Sequence, residues 1–348
     1  MFGVAYDSFN IPLGILGLSP PMNPAAPKYP LVIDTLVSQG VIQSRTFSLD
    51  LRSITSPSGA IIFGGIDRTK FSGSLTRIPL IPPAQSPGGT DRYWITLTGL
   101  GLTLPDGATS SRTPSFEIPV FPDSGSTISH LPTPLFLALG NAFPTAEFDR
   151  SSGLWVVDCR VATQQSSGSV DFYFGGKQIS VPFADFIWKR RSDGGPGSCV
   201  LGITANDEEP ILGASFLRAA YVVHDMDNRA LHIAQAASCG DGKEDVLVLG
   251  KGTAAVPSGV VGNCKVQTGP TATVGIDTKK TGEPTKVYTG PGVENTGDFG
   301  PGPAGGRTET SAGVLKPTGK SGGVKACAGR GWGWVWGGVI LAGLLAVV

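Results

Sequence analysis

The run Phe121-Pro122-Asp123-Ser124-Gly125-Ser126-Thr127 puts one carboxylate into a turn between two apolar stretches, Ile118, Val120 and Phe121 before it and Ile128 and Leu131 after it. A carboxylate aimed out of a strand end suggests a pair of aspartates sharing one proton. Two carboxylates in contact cannot both ionise, so one keeps a proton while the other acts as base. The base activates water, and the acid protonates or hydrogen-bonds the carbonyl under attack. Such a pair titrates as a unit. The neighbours suit this role for Asp123. Gly125 lets the backbone come close to the carboxylate. Ser124 is placed to hydrogen-bond across to a partner loop, and Ser126 to donate to the outer oxygen. Asp-Ser-Gly is also ordinary turn chemistry, so the tripeptide alone leaves both readings open.

Other chemistries find less support. The three histidines are His130, His224 and His232, and no Gly-x-Ser-x-Gly elbow accompanies them, which argues against a Ser-His-Asp hydrolase. His224 and His232 fall in strand-like segments and are expected at the surface or between lobes; His130 is nearest the Asp123 turn. The sequence supports no metal site, no phosphate loop and no cofactor, and Gly64-Gly65 and Gly175-Gly176 read as hairpin turns. Formal net charge is zero, so nothing points to nucleic acid as a partner. None of the five cysteines forms a Cys-x-x-Cys, and their wide spacing fits disulfides. Cys159 and Cys199 flank one β-rich segment and form the first expected pair. Cys239 and Cys264 form the second, which leaves Cys327 odd.

The elements that must position Asp123 read as all-β. Residues 31–40 have helical apolar spacing, with Gly40 as a stop. Phe47, Leu49 and Leu51 alternate, as in a half-buried strand. Residues 59–67 read as a buried strand ending in a Gly-Gly turn, and the Pro-Gly cluster 81–90 as a connection. Residues 133–143 read as a helix, with Thr133 as N-cap and Pro134 at the first helical position. Short strands with turn signals fill the rest up to residue 238, among them the segments at 154–159, 179–188 and 211–217.

From Gly240 to Gly331 only Tyr288 and Phe299 are aromatic, and Gly, Pro, Thr, Ser and Lys dominate. This composition predicts a disordered Ser/Thr-bearing stalk over 239–320. The last 17 residues, Trp332 to Val348, carry no charge. They sit at the short limit for a spanning helix. The order Ser321-Gly322-Gly323, short polar spacer and apolar tail also fits a lipid-anchor attachment signal, with Ser321 as the attachment residue. Residues 321–348 are therefore expected to join the protein to a membrane by a lipid anchor or a helix. Removal of the tail at Ser321 would take Cys327 with it. The first ten residues lack the basic and apolar regions of a signal peptide.

The order of motifs resembles the pepsin-like aspartic proteases, and within them the yapsin branch of lipid-anchored fungal members. Residues 14–19, GILGLS, resemble the segment closing the first lobe. Residues 44–80 resemble the end of that lobe and the crossover. FPDSGST resembles the second catalytic loop, and residues 211–236 the last strands of the second lobe. The Cys159–Cys199 spacing resembles that lobe's disulfide. The resemblance covers about residues 2–238 and implies an all-β pepsin-like fold. Residues 1–88 would be a remnant of the first lobe with the connection, and 89–238 the second, catalytic lobe. It implies an aspartic endopeptidase acting on peptide or protein at the outer face of the plasma membrane or the cell wall, with cleavage near basic residues, although no acidic pocket signature accompanies it.

By the same resemblance Asp123 is the second-lobe catalytic aspartate. Ile15-Leu16-Gly17 and Ile211-Leu212-Gly213 are strands bracing the two catalytic loops. Ala214 stands where the family often has Asp, which removes a negative charge. No other Asp-Ser-Gly or Asp-Thr-Gly occurs: Asp7 precedes Ser-Phe and Asp34 precedes Thr-Leu. Three readings follow. The first-lobe aspartate and flap lie upstream of Met1 in a longer protein; or the short chain is a non-catalytic surface-binding or structural protein; or two copies of Asp123 pair in a dimer.

Overall fold

The computed structural model describes residues 15–21, 29–56, 58–104, 110–112, 116–163, 168–190, 198–239, 243–265, 284 and 287. Strands dominate, with a few short helices. One of two five-stranded sheets among the described residues joins early and late segments of the chain. Its antiparallel order is Ala60–Phe63, Thr46–Asp50, Ala220–Asp225, Ala230–Ala236, Phe71–Pro79. One contiguous core runs from Phe47 and Ile78 through Leu97 and Leu139 to Leu231. Strands from both sides of residue 88 share this sheet and this core.

Several elements differ from the sequence reading, each for a packing reason. Thr46–Asp50 is buried along its whole length, not on alternate faces. The polar face of this strand is covered because Ser48 donates to the carbonyl of Gly65 at 2.8 Å. Ala60–Phe63 is half-buried instead of buried. Gly64, at φ 66°, bends the chain between Phe63 and Gly65–Asp67 and makes no hairpin, whereas Gly175-Gly176 does turn a hairpin between Ser169–Phe174 and Lys177–Pro182. Of the two placements expected for His224 and His232, the surface one fails, since both are buried. His224 stacks on Phe47 with ring centroids 4.2 Å apart and meets Tyr93 edge-on at 4.7 Å.

The helix Thr133–Ala142 starts one residue earlier than its composition suggests. Pro132 is the N-cap, and Thr133 lies inside the first turn. The cap comes from elsewhere: Asp207 accepts from the Thr133 N–H at 2.8 Å and from its hydroxyl at 2.7 Å. That bond across 74 residues is invisible to local pattern. Likewise, Phe183–Phe186 and Ala214–Leu217 are single helical turns inside segments expected to be strand.

The largest correction concerns residues after 239. The segment 243–265 is part of the fold, not of a disordered stalk. Val246–Val248 pairs antiparallel with Gly65–Asp67. Leu75 N–H donates to Val260 O at 2.9 Å, and Gly262 N–H to Gly73 O at 3.0 Å. Leu249, Val256 and Val260 bury against Ile66, Phe71, Leu75, Tyr221, Val223 and Ala234. A disulfide between Cys239 and Cys264 closes this strap. Averaging composition over 239–320 hid these few aliphatic residues. Ser321, the expected attachment residue, and the apolar tail lie outside the described residues.

Candidate active site

Asp123 sits where three strands cross. Ile118–Pro122 leads into it and Ser129–Leu131 leads away, and Ile211–Leu212 threads between them. This central strand runs parallel to the first, pairing Ile211 with Phe121 and Leu212 with Pro122, and antiparallel to the second, pairing Ile211 with His130. Ile203–Ala205 and Ile95–Leu97 flank the set. The sequence dictates this locally: Pro122 ends the first strand, and the Ser-Gly-Ser that follows has turn chemistry. Apolar residues on both sides anchor the turn from below, with Val120 and Leu131 fully buried.

The turn holds the carboxylate by short bonds. Gly125 N–H donates to Asp123 Oδ1 at 2.8 Å, and Ser126 Oγ donates to Oδ2 at 2.6 Å. Charge-assisted bonds of this length are the strong ones. The backbone is fixed as well: Asp123 N–H donates to Leu212 O at 3.0 Å, and Ala214 N–H to Ser126 O at 2.8 Å. Ser124 is buried beside the aspartate. Gly213 must be glycine for a steric reason, since a Cβ there would lie 2.5 Å from Ile128 O and 2.8 Å from Ser126 O. The Leu212-Gly213 backbone thus lies against both sides of the turn.

Below the turn is a polar lock that sequence reasoning missed. Ser129 N–H donates to Ser215 Oγ at 3.0 Å, and Ser215 Oγ donates to Gly202 O at 2.7 Å. Gly213 N–H donates to Ser129 Oγ at 3.1 Å, and the two hydroxyls meet at 2.9 Å. Both serines are fully buried, and every proton in this lock has an acceptor. The signal for it was weak, because two serines 86 residues apart carry no motif.

Asp123, Ser124, Gly125, Ser126, Ile211, Leu212 and Gly213 therefore form one constellation. Gly17 does not join it. Residues 15–18 form no strand, Gly17 is exposed, and Ile15 is 68% exposed. The segment is tied to the fold at Leu18, whose carbonyl accepts from the Tyr93 hydroxyl at 2.8 Å. Cys159 and Cys199 are joined as a disulfide at the end of the strand pair Leu154–Val157 and Cys199–Leu201, the two inner strands of their four-stranded sheet. Among the described residues no three His, Cys, Asp or Glu side chains gather as a metal site, and no helix is long and apolar enough to cross a membrane.

A family model described as eukaryotic aspartyl protease matches residues 8–236. The chain belongs to that family. Aspartic proteinase MKC7 of Saccharomyces cerevisiae is 35% identical over 234 residues, which are 66% of this chain and 37% of that protein. Yapsin-3 of the same yeast is 36% identical over 229 residues, 65% of this chain and 42% of that protein. Candidapepsin-1 of Candida albicans is 36% identical over 231 residues, 65% of this chain and 54% of that protein. The chain thus spans about half or less of the length of these relatives. Among solved structures, the aspartic proteinase from Irpex lacteus superposes with a TM-score of 0.52 at 23% identity, covering 68% of this chain and 71% of that one. That likeness fixes the pepsin-like all-β fold. The family and the fold agree with the expectation drawn from FPDSGST and the motifs around it.

Proposed function

We propose that this chain carries one half of the proton-sharing carboxylate pair of an aspartic endopeptidase, with Asp123 as its member. The observation that carries the reading is the Asp123 carboxylate held by Gly125 N–H and Ser126 Oγ at the crossing of three strands. The second carboxylate comes from outside the Asp-Ser-Gly motif found here, since the sequence holds that motif once. With the pair assembled, the ionised member takes a proton from water. The resulting nucleophile attacks the peptide carbonyl, while the protonated member hydrogen-bonds and then protonates the carbonyl oxygen. Ser126 and Gly125 keep the Asp123 plane fixed through both steps. Ser124, buried beside it, serves to couple this loop to its partner.

The substrate is a peptide or protein in extended form, paired by its backbone to strand edges. The site of action is the extracellular face of the plasma membrane or the cell wall, with attachment at Ser321 and the apolar tail as the anchor. The resemblance to yapsins and candidapepsins supports this placement.

The test is Asp123→Asn in the natural full-length protein, assayed by cleavage of a denatured protein substrate in acid. Loss of cleavage with unchanged thermal stability is expected. Unchanged cleavage would sink the mechanism. A second reading rests on the single Asp-Ser-Gly: a non-catalytic surface protein that binds extended peptide. It predicts peptide binding without turnover in the wild-type protein.

A further inference from the structure

The four-stranded sheet that carries Cys199 ends on one side at Glu147–Asp149. This edge strand pairs antiparallel with Leu154–Val157, which sets Phe148 opposite Trp155. Its other side takes a residue from far down the chain: Val287 makes a parallel bridge with Phe148. Pro284, three residues earlier, stands in the wall of a groove of about 540 Å³. The groove is also lined by Phe136 and Leu137 of the helix Thr133–Ala142, by Phe148, and by Thr204 and Ala205. These walls are held in place. Phe148 meets Phe136 edge-on at 6.1 Å and Trp155 at 5.3 Å between ring centroids. The Asp207 cap on Thr133 joins the start of the helix to the end of Ile203–Ala205. An extended segment recognised by a sheet edge uses two features, backbone pairing and a pocket for its side chains. Val287 supplies the first and Pro284 meets the second.

We propose that the edge Glu147–Asp149 and the groove beside Phe148 form an intramolecular docking site, whose occupant is the chain's own segment at Pro284 and Val287. The chain beyond Val287 then departs from this face of the sheet. The proposal does not depend on the role of Asp123. The stretch from Lys265 to Pro284 reaches at most about 65 Å when extended, enough to bring Pro284 round to this edge. One bridge and one proline make a weak site. A covalently linked segment, however, faces its site at an effective concentration of about 1 mM, so a weak site fills in its own chain while the free segment would need millimolar concentration to fill it. The docked segment also covers a strand edge that would otherwise be open to other chains.

Peptide-resolved hydrogen exchange on the full chain tests this. The double variant Pro284→Asp with Val287→Asp sets carboxylates against apolar walls, where they lose hydration without gaining a partner. Val287 is 38% exposed and neither residue belongs to the buried core, so the fold should survive; unchanged exchange at Leu154–Val157 checks that it does. In the double variant the Glu147–Asp149 amides are expected to exchange about tenfold faster than in the wild type. Equal exchange in the two proteins overturns the proposal. Wild-type protection at this edge should also be the same after a hundredfold dilution. Protection that fades on dilution would mean that a second copy supplies the segment, and would overturn the intramolecular assignment. Finally, a synthetic peptide of residues 281–290, TGEPTKVYTG, added to the double variant at about 1 mM should restore the protection, and a scrambled peptide should not. If the two peptides act alike, the groove does not recognise this segment and the proposal fails.

Discussion

Replacing both Cys239 and Cys264 by serine should loosen the 243–265 strap and lower the melting temperature of the whole protein. The two cysteines are separated by 25 residues. Closing a loop of that size removes chain entropy from the unfolded state worth about 3.5 kcal/mol at 25 °C. For a folded unit of this size each kcal/mol moves the midpoint by about 2–4 °C, so the double variant should melt about 7–14 °C lower under non-reducing conditions. The loss should concentrate in the strap. Its backbone bonds, such as Leu249 N–H to Gly64 O at 2.8 Å and Asn263 N–H to Arg68 O at 2.7 Å, would exchange hydrogen faster than the central strands. Peptide-resolved hydrogen exchange on the full chain, compared with the wild type, reads this directly. A second variant separates the covalent link from the packing. Leu249→Ala keeps the disulfide and deletes a side chain that is 1% exposed, a change that typically costs about 2–5 kcal/mol. If the double serine variant melts with the wild type and its strap amides stay protected, the disulfide holds nothing that the sheet does not already hold, and the reasoning fails.

Two further outcomes follow from the geometry. Gly213→Ala should misplace the Asp123 turn, because its Cβ would meet the Ile128 and Ser126 carbonyl oxygens; overpacking of this kind costs about 1–3 kcal/mol, and a crystal structure showing the Asp123 bonds unmoved would refute it. His224, pushed down to about 3 from 6.5 by burial, stays neutral in the folded protein while the unfolded chain takes up a proton. Its contribution is whole above about pH 6.5 and is lost as pH falls toward 3, by about 1.4 kcal/mol per unit. His224→Phe should flatten that part of the stability curve, and chemical denaturation at several pH values would reveal an unchanged slope if the assignment is wrong.

The site was legible where its chemistry is local. Asp123, Gly125 and Ser126 lie within four consecutive positions, and their mutual bonds span two and three residues. Turn chemistry and carboxylate chemistry both act at that range, so the tripeptide and its flanks announce them. Ile211-Leu212-Gly213 was found only through resemblance, because nothing in an apolar pair followed by glycine says which strand it will lie beside. The Ser129–Ser215 lock and the Asp207 cap on Thr133 were not legible at all. Each joins positions more than seventy residues apart, and serine, threonine and aspartate occur too often in turns for any one of them to stand out.

The misread elements share a different cause. Thr46–Asp50 and the strap were judged by their own composition, yet their burial is decided by what covers them. Ser48 is buried because Gly65 offers a carbonyl, and His224 because Phe47 and Tyr93 enclose it. The strap orders because it adds an antiparallel strand beside Gly65–Asp67 and drops three aliphatic side chains onto Phe71 and Tyr221. In water alone those three side chains could not offset the entropy of ordering 23 residues, at about 1–2 kcal/mol each for the backbone. Backbone pairing to a sheet edge and a covalent tie at both ends change the comparison, since the edge supplies partners already in place and the tie removes freedom that the unfolded chain would otherwise keep. A composition average sees neither. The same argument carries the packed strands past residue 236, where the family match stops, into the strap. A chain cut at 238 should therefore expose Phe71, Leu75 and Tyr221 and leave Gly65–Asp67 as an unpaired edge, the kind of surface that associates with other chains.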